Sequence, residues 1–216
     1  MSERPVGDGP SMRRTDVLRA SPPMFESRLL DALSRVHPIV PILVFAPAIA
    51  IFAAWELDFL GVLGLIALTA LGYSSWTLFE YWLHRLVFHF EPRDGLGARM
   101  HWIIHGVHHE HPNDPLRLVM PPAVSIPLGA VVFGLLFALL GKRYAPGVAA
   151  GFFAGYLAYD MLHYYVHHFT PRTRLGRMLR ERHMRHHFQD DTKGFGISAP
   201  YWDEVFRTSP RPRRDA

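Results

Sequence analysis

Phe59-Leu-Gly-Val-Leu-Gly-Leu-Ile-Ala-Leu-Thr-Ala-Leu-Gly-Tyr-Ser-Ser-Trp-Thr-Leu-Phe79 runs for 21 residues without a charge, and His84 stands five positions beyond its end. A bilayer core of about 30 Å takes roughly 20 apolar residues as helix, so this stretch is long enough to span one. Leu118 to Leu140 is a second uncharged run, of 23 residues. Ile39 to Trp55 is shorter, at 17, and contains Pro41 and Pro47; Ala145 to Tyr159 is apolar for 15 and continues in helical register through His167. Prolines are tolerated in membrane helices because neighbouring groups re-satisfy the backbone. A single run of that shorter length also suits the core of a soluble protein. Four such segments in 216 residues decide for the membrane. The expected fold is all-α: an integral, multi-pass membrane protein with about four transmembrane helices.

Charge placement supports an even number of crossings. Of 23 Lys and Arg, six precede the first segment, four lie between the second and third, and eleven follow the fourth. Lys142 and Arg143 alone occupy the turn between segments three and four, and the turn between one and two carries Glu56 and Asp58 without a base. Hence 21 of 23 bases fall on one side of a four-crossing arrangement. The positive-inside rule makes that side cytoplasmic. The net charge of +4 is accounted for by a basic face toward anionic lipid, and the chain carries no nucleic-acid motif. With no cysteine, disulfides, thiolate-ligated haem and cysteine-held iron–sulfur clusters are excluded.

Residues 1–36 read as a polar arm broken by Pro5, Pro10, Pro22 and Pro23, partly disordered or lying along the membrane, without the apolar core of a signal peptide. Residues 37–208 form the membrane domain, and 209–216 read as a flexible tail.

Thirteen of fourteen histidines lie between His84 and His187, and ten form four clusters, all on the basic side. His84 and His89 are five apart; His105, His108 and His109 form His-x-x-His-His; His163 and His167 are four apart; His183, His186 and His187 repeat the triplet. Residues three and four apart share a helix face, so the last three clusters can each converge. Five residues turn an ideal helix about 140° past a full turn, which sends His84 and His89 toward different metals. Imidazole is a common metal ligand, and ten of them suit two ions with about five ligands each, held in a cytoplasmic helical cap. Such ligands suit zinc, copper, iron or nickel; a site beside lipid points to iron with dioxygen. Glu80, Asp160 and Glu110 stand near the clusters as carboxylates that can accept a hydrogen bond from a ligand ring.

The four clusters, in this order and spacing, resemble the fatty acid hydroxylase / sterol desaturase superfamily of membrane non-haem diiron enzymes. Ile104-His105-Gly106-Val107-His108-His109 with Pro112, and Tyr159-Asp160-Met161-Leu162-His163 with His167-His168, are similar to the fatty acid 2-hydroxylase branch. So is the stretch from His183 through Gly194-Phe195-Gly196 to Trp202-Asp203 and Phe206-Arg207-Thr208. The likeness covers residues 75 to 208. It implies a monooxygenase that uses two iron ions, dioxygen and two electrons to hydroxylate a lipid acyl chain at C2, with zinc able to displace iron on purification. The resemblance assigns metal ligation to His84, His89, His105, His108, His109, His163, His167, His183, His186 and His187. No His-Pro-Gly-Gly haem motif occurs, so electrons are expected from a separate ferredoxin or cytochrome b5-like donor.

Two other readings stay open. A sterol or carotenoid hydroxylase or desaturase uses the same histidine logic. A histidine-rich metal-binding or transport protein is the non-enzymatic alternative, but transporters place ligands near the bilayer midplane, where these runs hold no histidine.

Overall fold

The protein is described by a computed structural model covering residues 13–211; residues 1–12 of the arm and 212–216 of the tail lie outside the described residues. Among the described residues all regular structure is helical. Short helices α1 (Arg14–Arg19) and α2 (Arg28–Leu33) precede α3 (Ile39–Leu83), which passes directly into a π-helix at His84–Phe88. Helix α4 (Gly95–His101), a second π-helix at Trp102–Gly106 and α5 (Val107–Glu110) follow, then α6 (Pro122–His168), α7 (Arg174–Phe188) and α8 (Tyr201–Val205). Two stretches, Ile39–Phe88 and Pro122–His168, are long and apolar enough to cross a membrane.

Neither long helix is one straight rod. The 45 residues of α3 would extend about 67 Å at 1.5 Å per residue, twice the bilayer core. Its backbone leaves the helical region at Gly61 (φ 66°) and that of α6 at Gly141 (φ 70°), a conformation glycine adopts without steric cost. The contacts show that the chain turns back at both points. Phe45 and Trp76, on either side of Gly61, both pack on Tyr156, with ring centroids 4.7 and 5.4 Å away. Phe133 and Phe153, on either side of Gly141, both pack on Phe52, at 4.5 and 5.9 Å. Each long helix is therefore a tight antiparallel hairpin, and two hairpins make a four-rod bundle.

The rods approach closely where glycines face backbone. A Cβ on Gly72 would lie 2.0 Å from the Val148 carbonyl oxygen, and one on Gly151 2.0 Å from that of Thr69. Such small-residue contacts let membrane helices associate by packing alone. Around them Phe45, Trp76, Phe153, Tyr156 and Tyr159 form the core, while Leu63, Ile66, Leu135 and Leu139 are exposed along the rods, as lipid-facing positions require. One expectation fails here. Glu56, read from sequence as a turn residue, is fully buried inside the first rod. Its Oε2 accepts the Gly147 amide at 2.8 Å, tying the two hairpins together near their Gly61 and Gly141 ends. The remaining helices gather at the opposite end, where the histidines lie.

Candidate metal centre

The ten histidines meet in two sets of five. In the first, His84, His89, His105, His109 and His186 bring one ring nitrogen each within 4.8 Å of one another; in the second, His108, His163, His167, His183 and His187 do the same. Each His-x-x-His-His triplet is divided between them. His105 and His109, four apart, join the first set and His108 the second. His183 and His187 join the second and His186 the first. The i and i+4 residues share one helix face and the i+3 residue leans to the next, so each triplet straddles both sets and couples them.

The separation expected for His84 and His89 does not occur: their Nε2 atoms lie 3.2 Å apart. The cause is the π-helix at His84–Phe88. Its i→i+5 bond, from the His89 amide to the His84 carbonyl at 3.2 Å, widens the turn and returns the fifth residue to the starting face. π-Bulges of this kind are frequent at functional sites.

The nitrogens fit metal ions by their own hydrogen bonding. Nδ1 of His84 donates to the Phe195 carbonyl at 2.8 Å, and Nδ1 of His186 to the Lys193 carbonyl at 2.7 Å. Both rings therefore present an unprotonated Nε2 to the same point. In that set the Nε2 atoms of His105 and His109 are buried without a hydrogen-bond partner among the described residues. In the second set Nε2 of His108 faces that of His163 at 3.0 Å, and Nε2 of His183 faces those of His167 at 2.8 Å and His187 at 3.1 Å. Ring nitrogens that converge at such distances can share a cation. Burial, reinforced by neighbouring imidazoles, lowers the pKa of His89 and His109 to about 3 and holds His105, His108, His183 and His187 well below the ordinary value. These rings are neutral at physiological pH, the form that binds metal.

None of the three carboxylates expected beside the clusters accepts a hydrogen bond from the ten rings. Glu110 follows His109 directly and so points around the helix away from it; it is exposed and accepts Trp102 Nε1 at 3.0 Å. Asp160 is buried and accepts the Tyr156 hydroxyl at 3.3 Å and the Met120 amide at 3.4 Å. Glu80 acts at one remove: it accepts the Ser198 amide at 2.8 Å and the Ser198 hydroxyl, fixing one end of the loop whose Phe195 and Lys193 carbonyls orient His84 and His186. The other end is held by Asp203, which sequence reading left out of the site. Asp203 accepts the Phe195 amide at 2.9 Å, the Gly196 amide at 3.0 Å and the Thr208 hydroxyl at 2.8 Å. Tyr81 in turn donates to Thr208 at 2.9 Å and accepts from Arg85 at 3.0 Å. The sequence signal is Gly194-Phe195-Gly196 shortly before the acidic pair Asp203-Glu204. Three further histidines serve backbone: His101 reaches the Phe88 carbonyl at 2.7 Å, His111 that of Val17 at 2.6 Å, and Nδ1 of His37 accepts the Ile39 amide at 3.2 Å.

A cavity of about 320 Å³ opens on the centre. His105 from the first set and His108 and His163 from the second form part of its wall; Trp76, Leu83, Ile104, Val119 and Val124 supply apolar surface. The arrangement is two sets of ring nitrogens, each able to hold a cation, beside a largely apolar cavity.

Comparisons with known proteins agree with that chemistry. The fatty acid hydroxylase family model matches residues 69–208. A dihydroceramide fatty acyl 2-hydroxylase of Arabidopsis thaliana is 38% identical, over 88% of this chain and 80% of its own length. A ceramide very long chain fatty acid hydroxylase of Saccharomyces cerevisiae is 35% identical over 88% of this chain, which spans half of the yeast protein. The solved structure of full length scs7p, in which only the hydroxylase domain is visible, superposes with a TM-score of 0.81 at 34% identity, covering 86% of this chain and 71% of that one.

Proposed function

Because the chain belongs to the fatty acid hydroxylase family, we propose that this hydroxylating enzyme is a membrane-bound dimetal oxygenase acting at C2 of the acyl chain of a fatty acid or sphingolipid. The reaction consumes the acyl C–H, dioxygen, two electrons and two protons, and yields the alcohol and water. The observation that carries this reading is the shared wall: ligand-type histidines of both sets line one apolar cavity.

The ten histidines would hold two ions, iron in the working enzyme, and these supply dioxygen activation when bound. The protein residues do the rest. Phe195 and Lys193 carbonyls lock the tautomers of His84 and His186. The cavity excludes water and draws in an apolar chain, since each buried methylene favours binding by about 0.8 kcal/mol. A carbon beside a carboxyl or amide lies at head-group depth, and the histidines sit at the rod ends, which suits C2.

The bundle suits four crossings. Residues 39–60 span about 33 Å as helix, the thickness of a bilayer core, and the reversals at Gly61 and Gly141 put all histidines at one end. That end carries most of the basic residues, so the positive-inside rule places the centre in the cytoplasm. The electrons come from a separate donor. Its acidic face would meet the arginine-rich exterior of α7, a pairing that predicts salt-sensitive turnover.

Lipid mass spectrometry on cells expressing wild type and a His186→Ala/His187→Ala variant tests the proposal. One added oxygen on acyl chains, placed at C2 by fragmentation and absent from the variant, is expected. Oxygen on a sterol or carotenoid, or a new double bond, would move the chain to another branch of the superfamily. No modified lipid in the presence of a competent donor would overturn the enzymatic reading of this site.

A further inference from the structure

The cavity beside the metal centre has a wall that the four rods do not provide. Met24, Phe25, Leu30, Leu33 and Ser34 line it from the N-terminal arm, which lies outside the family match at residues 69–208. The arm is fastened there. Arg117, also lining the cavity, has a side chain only 3% exposed, and its Nη2 donates to Asp31 at 2.7 Å. A buried guanidinium left unpaired is strongly destabilising, so this partner fixes where the arm sits. Asp31 also accepts the Met24 amide at 2.8 Å and Arg35 Nε at 3.2 Å. Arg35 returns to the Ser21 carbonyl at 2.9 Å, and Arg117 Nη1 donates to the Pro22 carbonyl. Backbone contacts extend the seam: the Val36 amide donates to Leu116 at 2.6 Å and the Asn113 amide to Leu18 at 3.0 Å. Every one of these fastenings outside the arm falls within residues 111–117, just after the His105–His109 triplet.

We infer that the arm is the specificity wall of the acyl site: Met24, with Phe25, Leu30 and Leu33, sets which acyl chains reach the histidine centre, and the Asp31–Arg117 pair holds that wall in place. The inference rests on the acyl-hydroxylase reading and adds to it the residues that select the chain. Met24 is the best probe, because its side chain is buried in the cavity wall while its backbone amide makes the bond to Asp31. A side-chain substitution there alters the slot and leaves the fastening.

The experiment uses full-length wild type, Met24→Ala and Met24→Trp, offered an equimolar mixture of saturated acyl substrates of graded length. Hydroxylated products are quantified by mass spectrometry, and metal content is measured on the same preparations. Met24→Trp is expected to shift the ratio of long- to short-chain product by about tenfold toward short chains, the scale on which apolar pockets discriminate methylenes. Met24→Ala is expected to shift it the other way, and serves where the tryptophan variant fails to fold. A ratio equal to wild type in a variant with normal metal content overturns the inference. A palmitoyl chain carrying a terminal diazirine separates this from failure of the underlying reading. Labelling of residues 24–33 in wild type supports the wall even where no product forms, and labelling confined to the rods overturns it.

Discussion

Nδ1 of His84 lies 2.8 Å from the carbonyl oxygen of Phe195, 111 positions further along the chain. That bond makes the loop after α7 part of the candidate metal centre, and Asp203 ties that loop down. Asp203 is almost fully buried; burial pushes its carboxyl up, against the bonds from Thr208, Gly196 and Phe195. Asp203→Ala removes all three acceptor contacts and frees the Phe195 carbonyl to swing. The expected outcome is a 10- to 100-fold loss of metal affinity, of the order seen when a residue supporting a ligand is lost. The loss should fall on the site containing His84 and His186. Chelator competition with two resolved binding steps checks it; equal weakening of both steps, or of neither, refutes the assignment.

Gly72 and Gly151 meet backbone carbonyls where a Cβ would stand 2.0 Å away, whereas Gly134 has no atom within 4 Å. Backbone on two facing rods cannot step aside as a side-chain tip can. Gly72→Ala or Gly151→Ala should therefore cost at least the 1–3 kcal/mol typical of overpacking, about, and reduce the yield of folded protein. Gly134→Ala should be neutral to stabilising, because a Cβ there meets nothing and alanine is the better helix former. Thermal unfolding in detergent distinguishes them; similar midpoints for all three would mean that the rods do not pack as described.

How much of this was readable beforehand follows from where the information sits. That the ten histidines would gather was legible, because i, i+3 and i+4 spacing brings side chains to neighbouring positions on a helix surface. Their division into sets was not. The rule for an ordinary helix separates His84 from His89, and only the π-turn between them brings them together. Four apolar runs were visible, and four rods are present. Glu56 was misplaced because a charge beside Asp58 reads as a turn, while its partner, the Gly147 amide, lies 91 positions away. The arm was read as polar from its prolines and arginines. Nothing local in Met24 or Asp31 announces a partner at Arg117, since long-range pairing leaves no periodic trace in sequence.

Glu56 gives a test at the far end of the bundle. Its Oε2 takes the Gly147 amide, and the residue is fully buried. Glu56→Ala leaves that amide without this partner and opens a void between the hairpins. A loss of about 1–3 kcal/mol is expected for one buried donor left unsatisfied. Because the histidines lie at the other end, metal stoichiometry should stay at the wild-type value while the unfolding midpoint falls. Metal loss in Glu56→Ala at a temperature where the bundle is still folded would contradict that separation.

Asp31 supplies the pH dependence. The Met24 amide first, and then Arg35 and Arg117, hold its carboxyl below the ordinary value of 3.8, against the opposing effect of desolvation. A depressed carboxylate binds fewer protons folded than unfolded, so its contribution to stability is complete above 3.8 and is lost as pH falls through the lower folded value. The arm should thus stay fastened at mildly acidic pH and release only below that range. Asp31→Asn lacks the charge at every pH and leaves the buried Arg117 guanidinium without its ionic partner. Hydrogen exchange over residues 22–36, corrected for intrinsic rates, reads the difference. Wild type should show a protected Met24 amide at neutral pH that opens in strong acid, and Asp31→Asn, whose side-chain oxygen still accepts that bond but carries no charge, should show weaker protection already at neutral pH. Equal protection of the two proteins at neutral pH would mean that the ion pair does not hold the arm.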